Sequence, residues 1–286
     1  MFVDPDRPWS EGDVTQPYLT SIIQTINAKL EAFDYEIRST RDQQSKDTVY
    51  ALVNNTSDAL TQLATTFSAN EIAYIRRLLD HMFETNNNNV RETMAVKHTE
   101  ASQLARISRR NRQSQVNGSH TQLNGETQDT PAQGADTSIS IAEADMVLDS
   151  LVAQGFFHKS RAGYYSLAPR ALMELRAYLK ETYNESADEN EDGREVIRIR
   201  DCEGCREIVT VGIRCNNREC GVRWHDACAN SYYRGRRDQE RKCPRCRTEC
   251  TGDVFVGERA DRMGGRTSTG GRGISSMLRE EDEEEE

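Results

Sequence analysis

The chain has 286 residues, enough for two or three small domains. No run of 18 apolar residues occurs, which excludes a helical membrane span, and the opening "MFVDPDRPWSEGD" lacks the basic-then-apolar pattern of a signal peptide. The net charge is −10, but seven of the 47 acidic residues form the terminal run Glu280 to Glu286; the other 40 nearly balance 37 Lys and Arg, so the total says nothing about partners.

The first periodic stretch is Leu19, Ile22, Ile23, Ile26 and Leu30, one face of a helix. "DYEIRST" and "TVYALVN" follow, two strand-like runs that read as a hairpin with a long tip. "SANE", Ser68 to Glu71, has the form of a capping box and predicts a helix with Ile72, Ile75, Leu78, Leu79, Met82 and Phe83 as its buried stripe. The asparagines at 86–89 mark its exit. Ser108 to Ser138 is almost free of apolar residues and is expected to be disordered. Beside it Arg106, Arg109, Arg110 and Arg112 cluster, either a solvated linker or a basic patch for nuclear import or nucleic acid.

A second capping box, Ser140 to Glu143, starts a helix carrying Ala144, Val147, Leu148, Leu151 and Val152, with Gly155 placed as its C-terminal cap. Phe156 to Leu167 reads as a tight hairpin turning at Ala162-Gly163, and Pro169 opens a helix with Leu172, Leu175 and Leu179 on one face. Helices combined with one hairpin suit a winged-helix domain, a fold that binds DNA or docks proteins. Lys159, Arg161 and Arg170 lie around this second hairpin, where they could meet phosphates. The expected architecture is α+β multidomain. Residues 1–86 form winged-helix domain 1 and 87–184 winged-helix domain 2, with a disordered insert at 108–138. An acidic linker at 185–197, a cross-brace RING-like zinc domain at 198–252 and a disordered acidic tail at 253–286 complete it.

All eight cysteines fall between Cys202 and Cys250. A chain that is Cys-free before that block has a metal-binding pattern, not a disulfide framework, and belongs in a reducing compartment. The order is Cys202-x2-Cys205-x9-Cys215-x4-Cys220-x4-His225-x2-Cys228-x14-Cys243-x2-Cys246. Four Cys, one His and three Cys are enough to close two tetrahedral zinc sites, and with the alternation of a cross-brace Cys202, Cys205, His225 and Cys228 hold one ion while Cys215, Cys220, Cys243 and Cys246 hold the other. Both sites would then be full, so the two zinc ions are structural and no catalytic residue is assigned. Cys250 falls outside the set as a free thiol.

RING-type, RING-variant and PHD modules share a cross-brace of this composition. A PHD finger normally has Trp two residues before the seventh ligand, where this chain has Arg241. "CPRCR" instead offers Pro244 after the seventh ligand and Arg247 after the last, as RING-type ligases do, so the RING reading leads. Such a module binds a ubiquitin-conjugating enzyme and holds the ubiquitin thioester in a reactive pose, with Arg247 donating from a planar fork. The usual aliphatic residue inside the first CxxC turn is absent. "CEGC" has Glu203 and Gly204 there, with Ile208 as the nearest substitute.

The whole arrangement resembles the non-SMC element 1 family, the RING-variant subunit of the SMC 5/6 complex. The resemblance rests on "YALVNNTSDALTQLATTFSANEIAYIRRLLDHMF", "AEADMVLDSLVAQGFFHKSRAGYYSLAPRALMELRAYL" and the cysteine block. It implies a nuclear, chromatin-associated protein of DNA repair, recombination and chromosome maintenance. It implies pairing with a MAGE-domain subunit, assembly with a kleisin subunit, DNA contact either direct or through the partner, and ubiquitin ligase activity that depends on the MAGE partner. The missing anchor in "CEGC" agrees with that dependence. The other expectations are a non-catalytic zinc-stabilised scaffold of the same complex and a chromatin or DNA reader.

Overall fold

The computed structural model describes residues 14–55, 66–88, 90–106, 138–186, 195–234 and 241–264. The expected insert, the middle of the acidic linker and the terminal acidic run lie outside these residues. Among the described residues no helix is long and apolar enough to cross a membrane.

The chain opens with α1 (Gln16–Leu30), which leads through a left-handed Asp34 into the antiparallel hairpin β1 (Tyr35–Arg41) and β2 (Thr48–Asn54). Asn27 clamps helix to hairpin, giving Nδ2–H to the Ile37 carbonyl at 3.0 Å and taking the Ile37 N–H at 2.7 Å. No residue of α1 is buried. Its apolar face therefore rests on one narrow hairpin and is left partly open, with Ile22 and Ile26 more than a third exposed.

Next is α2 (Ala69–Asp80), started by the capping box in which the Ser68 amide donates to Glu71 and the Glu71 amide to the Ser68 hydroxyl. One wide π-type turn, His81–Thr85, ends it. Tyr74, Ile75, Leu78, Leu79, Met82 and Phe83 are buried, with Ile72 only half-buried. They pack against the second half of the chain and not against the first hairpin. Tyr74 donates to the Ala101 carbonyl at 3.0 Å, and the Tyr183 hydroxyl donates to Asp80 at 2.8 Å. The first unit thus ends before Phe67, not at residue 86. Periodicity shows that a face is buried, not which neighbour buries it.

The second unit continues with β3 (Val96–Lys97), α3 (His98–Leu104), α4 (Ile141–Ala153), β4 (Phe157–Lys159) and β5 (Tyr164–Leu167). The three strands form an antiparallel sheet in the order β3-β5-β4. Two residues of β3 carry no readable period, and α3 is a single short segment, so neither was expected. The Ile139 amide donates to the Ala105 carbonyl at 3.0 Å. The described residues on either side, up to 106 and from 138, are thereby held close together. Ser140 and Glu143 cap α4 as predicted. Gly155 (φ 73°) and Gly163 (φ 79°) take the left-handed conformations that the cap and the turn need. The single helix expected after Pro169 is two, α5 (Pro169–Glu174) and α6 (Arg176–Tyr183), jointed at Leu175.

A two-residue pair, β6 (Asn184–Glu185) with β7 (Val196–Ile197), closes the acidic linker at its base. The cysteine-rich domain holds β8 (Gly212–Arg214), β9 (Arg223–Trp224) and α7 (Asp226–Tyr233). The chain past 253 does not begin a tail: β10 (Phe255–Val256) adds to the edge of β8, and α8 (Glu258–Gly264) follows. Two apolar residues on a free strand edge outweigh a polar surrounding sequence. Asp261 then ties α8 back to the second unit through Arg91, Lys97 (2.7 Å) and the Tyr164 hydroxyl (2.6 Å). Hydrogen bonds from Lys97 and Tyr164 hold its carboxyl below the usual range, against an opposing effect of burial. The buried residues form one continuous core from Phe67 to Val256, so the cysteine-rich domain is fused to the helical one.

Candidate metal centre

The two CxxC stretches fold into the same knuckle. The Cys202 amide donates to the Glu207 carbonyl and the Arg206 amide to the Cys202 carbonyl; Cys243, Thr248 and Arg247 repeat the pattern. Arg206 (φ 64°) and Arg247 (φ 61°) occupy the left-handed position in each. This turn points both sulfurs of a pair to one side. Residues far apart in sequence complete each set, because β8, β9 and α7 bring His225 and Cys228 to the first knuckle, and Cys215 and Cys220 to the second.

The ligand atoms of Cys202, Cys205, His225 and Cys228 all lie within 4.8 Å of one another, as do those of Cys215, Cys220, Cys243 and Cys246. His225 Nδ1 is 3.2 Å from Cys205 Sγ, Cys215 Sγ is 3.5 Å from Cys246 Sγ, and Cys220 Sγ is 3.6 Å from Cys243 Sγ. A tetrahedral zinc with Zn–S bonds of about 2.3 Å would set its sulfurs roughly 3.8 Å apart, so the donors fit that ion in type, number and spacing. The electrostatics agree. Burial and neighbouring sulfurs push Cys228 up to about 12, and burial likewise raises Cys215 and Cys220. Burial also works against Cys202, yet hydrogen bonds from His225 and from the Cys205, His225 and Gly204 amides bring it down to about 6. The Thr248 hydroxyl and amide bring Cys246 down to about 6. Thiols crowded in this way become thiolates together only around a cation.

His225 Nε2 lies 3.1 Å from the Ile208 carbonyl. That contact fixes Nε2 as the protonated nitrogen and leaves Nδ1 for the metal. Cys250 stands outside both groups, its thiol 3.7 Å from the Thr248 carbonyl.

Beside the first group runs a groove of about 910 Å³ between the tip of the β1–β2 hairpin and the cysteine-rich domain, lined by Arg41, Gln43, Gly204, Trp224, Tyr232 and Pro244 among others. Of the three predicted partner contacts, Pro244 lines this groove, and Arg247 is exposed beyond it with no side-chain bond among the described residues. Ile208 cannot serve: it is 2% exposed, its side chain turned into the core. Within "CEGC" the surroundings of Gly204 are tight. A Cβ at Gly204 would sit 3.1 Å from Cys228 Cβ and 3.3 Å from the Trp224 ring, so no side chain fits there without displacement. Glu203 pairs with Arg245 at 3.4 Å and Arg206 at 3.7 Å, joining the two knuckles. Tyr232 stacks on Trp224, with centroids 4.7 Å apart, and Tyr233 packs edge-on against Tyr232; the aromatics form a stack and not a cage.

Sequence reasoning missed Glu92. It is 6% exposed and binds both Arg214 (2.7 Å) and Arg223 (Nε, 2.6 Å), themselves 4% and 2% exposed, at the junction of the second unit and the cysteine-rich domain. An acidic residue in a polar loop, more than 120 residues from its partners, carries no signal in one sequence.

A C-terminal RING-like domain with two interleaved Cys/His groups, fused to a mixed helix-and-sheet body, places this chain among the RING-like proteins, and the RING-like domain family model matches residues 202–246. The model "Nse1 non-SMC component of SMC5-6 complex" matches residues 3–175. The chain belongs to the Nse1 family of non-SMC components of the SMC5-6 complex. It is 24% identical over 236 residues to the human non-structural maintenance of chromosomes element 1 homolog, covering 82% of this chain and 70% of that one. It is 22% identical over 228 residues to the Xenopus laevis homolog, covering 80% and 66%. A solved chain of an Nse1-Nse3-Nse4 complex shares the fold, with a TM-score of 0.57, 20% identity, and 82% and 80% of the two chains covered.

Proposed function

We propose that this protein is a RING-type ubiquitin ligase subunit of the SMC5-6 complex. The carrying observation is the groove beside the Cys202 group, with Pro244 on its wall and Arg247, three residues further along the chain, exposed. A conjugating enzyme seated there would have its ubiquitin thioester oriented by Arg247, whose planar fork can hold two partners at once. Tyr232, stacked on Trp224, and Pro244 would supply the apolar contact that "CEGC" lacks. Zinc in the two groups would supply fold and no reaction step, since each set of four donors closes its site.

The partners we propose are a MAGE-domain subunit and a kleisin subunit; the solved neighbour, an Nse1-Nse3-Nse4 complex, supports them. The half-open apolar face of α1 is a surface such a partner could cover. We place the complex, and this chain with it, on nuclear chromatin in DNA repair. We read the order α2-β3-α3-α4-β4-β5 as a winged helix spanning about 67–167, with α4 as the helix that would enter a DNA groove. That helix has no Lys or Arg, and it exposes Glu143 and Asp149 along with Ile141 and Met146. Phosphates would be repelled, and Arg170 is engaged with Glu174 (2.7 Å) and the Phe156 ring. These features favour protein docking over DNA reading at this helix.

The scaffold reading draws on one observation, the burial of Ile208. Single-turnover discharge of ubiquitin from a charged conjugating enzyme, with and without the MAGE partner, separates the two. Arg247→Ala is expected to slow discharge roughly 10- to 100-fold, the scale of lost orientation. An unchanged rate under both conditions leaves the scaffold.

A further inference from the structure

The tip of the β1–β2 hairpin is stiff. The Asp42 carboxylate caps the Gln44 (2.7 Å) and Ser45 (2.8 Å) amides, and its backbone closes on Asp47 and Lys46. From that tip Gln43 reaches across to the cysteine-rich domain and pairs with it as a strand would. Its Nε2 donates to the Ile208 carbonyl at 2.9 Å. Its Oε1 accepts from the Thr210 amide (3.0 Å), the Val211 amide (2.8 Å) and the Thr210 hydroxyl (3.3 Å).

The Ile208 carbonyl is also the acceptor for His225 Nε2, at 3.1 Å, while Nδ1 of the same ring faces Cys205 Sγ at 3.2 Å. One carbonyl oxygen thus joins a side chain of the first unit to a ligand of the Cys202 group. A carbonyl has two lone pairs and can serve both donors. Groups that fix the far nitrogen of a ligating imidazole set its tautomer and aim, and losing them weakens metal retention 10- to 100-fold.

We propose that Gln43 is a positioning residue of the first metal site: it holds the Ile208 carbonyl opposite His225, so that docking of the N-terminal hairpin helps to retain the metal. This rests on the reading that the Cys202 group binds a metal ion.

The test uses the full chain loaded with Co²⁺, whose visible bands separate a three-sulfur, one-nitrogen site from a four-sulfur site. Release to excess chelator is followed at both. Gln43→Ala is expected to speed release from the three-sulfur, one-nitrogen site about tenfold or more, leaving the four-sulfur site at the wild-type rate. Gln43→Glu keeps an acceptor for Thr210 and Val211 but cannot donate to Ile208, and the same selective acceleration is expected. Gln44→Ala, at an exposed neighbour, is expected to change nothing. A wild-type rate in either Gln43 variant, equal acceleration at both sites, or a matching effect of Gln44→Ala overturns the proposal while the metal reading stands. A wild-type chain without the three-sulfur, one-nitrogen bands overturns both.

Discussion

Removing metal from the full chain is expected to unfold residues 202–250 while the helices around Tyr74 and Leu148 keep their structure. Among the described residues both of the domain's strand pairings are two residues long, and one of them is the edge addition of β10. Outside the cysteines its buried apolar set is small: Ile208, Val209, Val222, Trp224, Ala229 and Tyr233. Structural zinc contributes on the order of 10–16 kcal/mol as folding energy, comparable with or larger than the whole stability of a typical domain, about 5–15 kcal/mol. Without a cation the crowded sulfurs must be protonated, and the half-exposed Glu203–Arg245 pair is a weak substitute for holding the two knuckles together. The second unit has its own core in Tyr74, Leu78, Leu148, Leu151 and Leu179. Hydrogen exchange with and without chelator reads this directly. Amide protection should be lost in 202–250 and kept in α2 and α4; unchanged protection in the cysteine block would sink the idea.

Glu92→Gln should be the most damaging substitution outside the ligands. It keeps shape and removes one charge, leaving Arg214 and Arg223 buried side by side. Arg200 adds to the excess: burial and then the Arg223 charge lower its affinity for the proton, and Glu92 opposes them. Breaking a buried pair from one side costs about 3–5 kcal/mol, because the remaining charge is uncompensated. Glu92 also ties backbone to backbone, its carbonyl accepting from the Gly257 amide at 2.7 Å. The loss should therefore fall on the junction: a lower urea midpoint, and early proteolytic separation of the cysteine-rich domain from the helical unit. A midpoint within about 0.5 kcal/mol of the wild type, the range of an ordinary surface change, would contradict this account of the junction.

What the sequence disclosed follows from how local each signal is. Both capping boxes, the α2 and α4 stripes, both hairpins and the left-handed Gly155 and Gly163 are set by residues within a few positions of each other, and each is where the spacing puts it. The metal groups were legible for a different reason: metal ligands are few in kind, so alternation along the chain can be read without knowing the path. Long-range choices were not legible. Nothing in "SANE" tells α2 to pack on Leu148 and Tyr183 instead of the first hairpin. Phe255 and Val256 look like part of a polar tail until β8 offers an edge. Ile208 looks like an available anchor, but its side chain is claimed by the core and its carbonyl by His225 and Gln43. Gly204 shows the same limit from the other side, since its lack of a side chain reads as a missing contact until Trp224 and Cys228 are seen against it.

Two interleaved four-ligand groups, each expected to close around one zinc ion, build the domain that presents the groove. Native mass spectrometry of the intact chain tests it most directly. The wild type should carry two zinc ions, and Cys202→Ser and Cys215→Ser should each carry one. A wild type without zinc, or a single-ligand variant that keeps both ions, would contradict it.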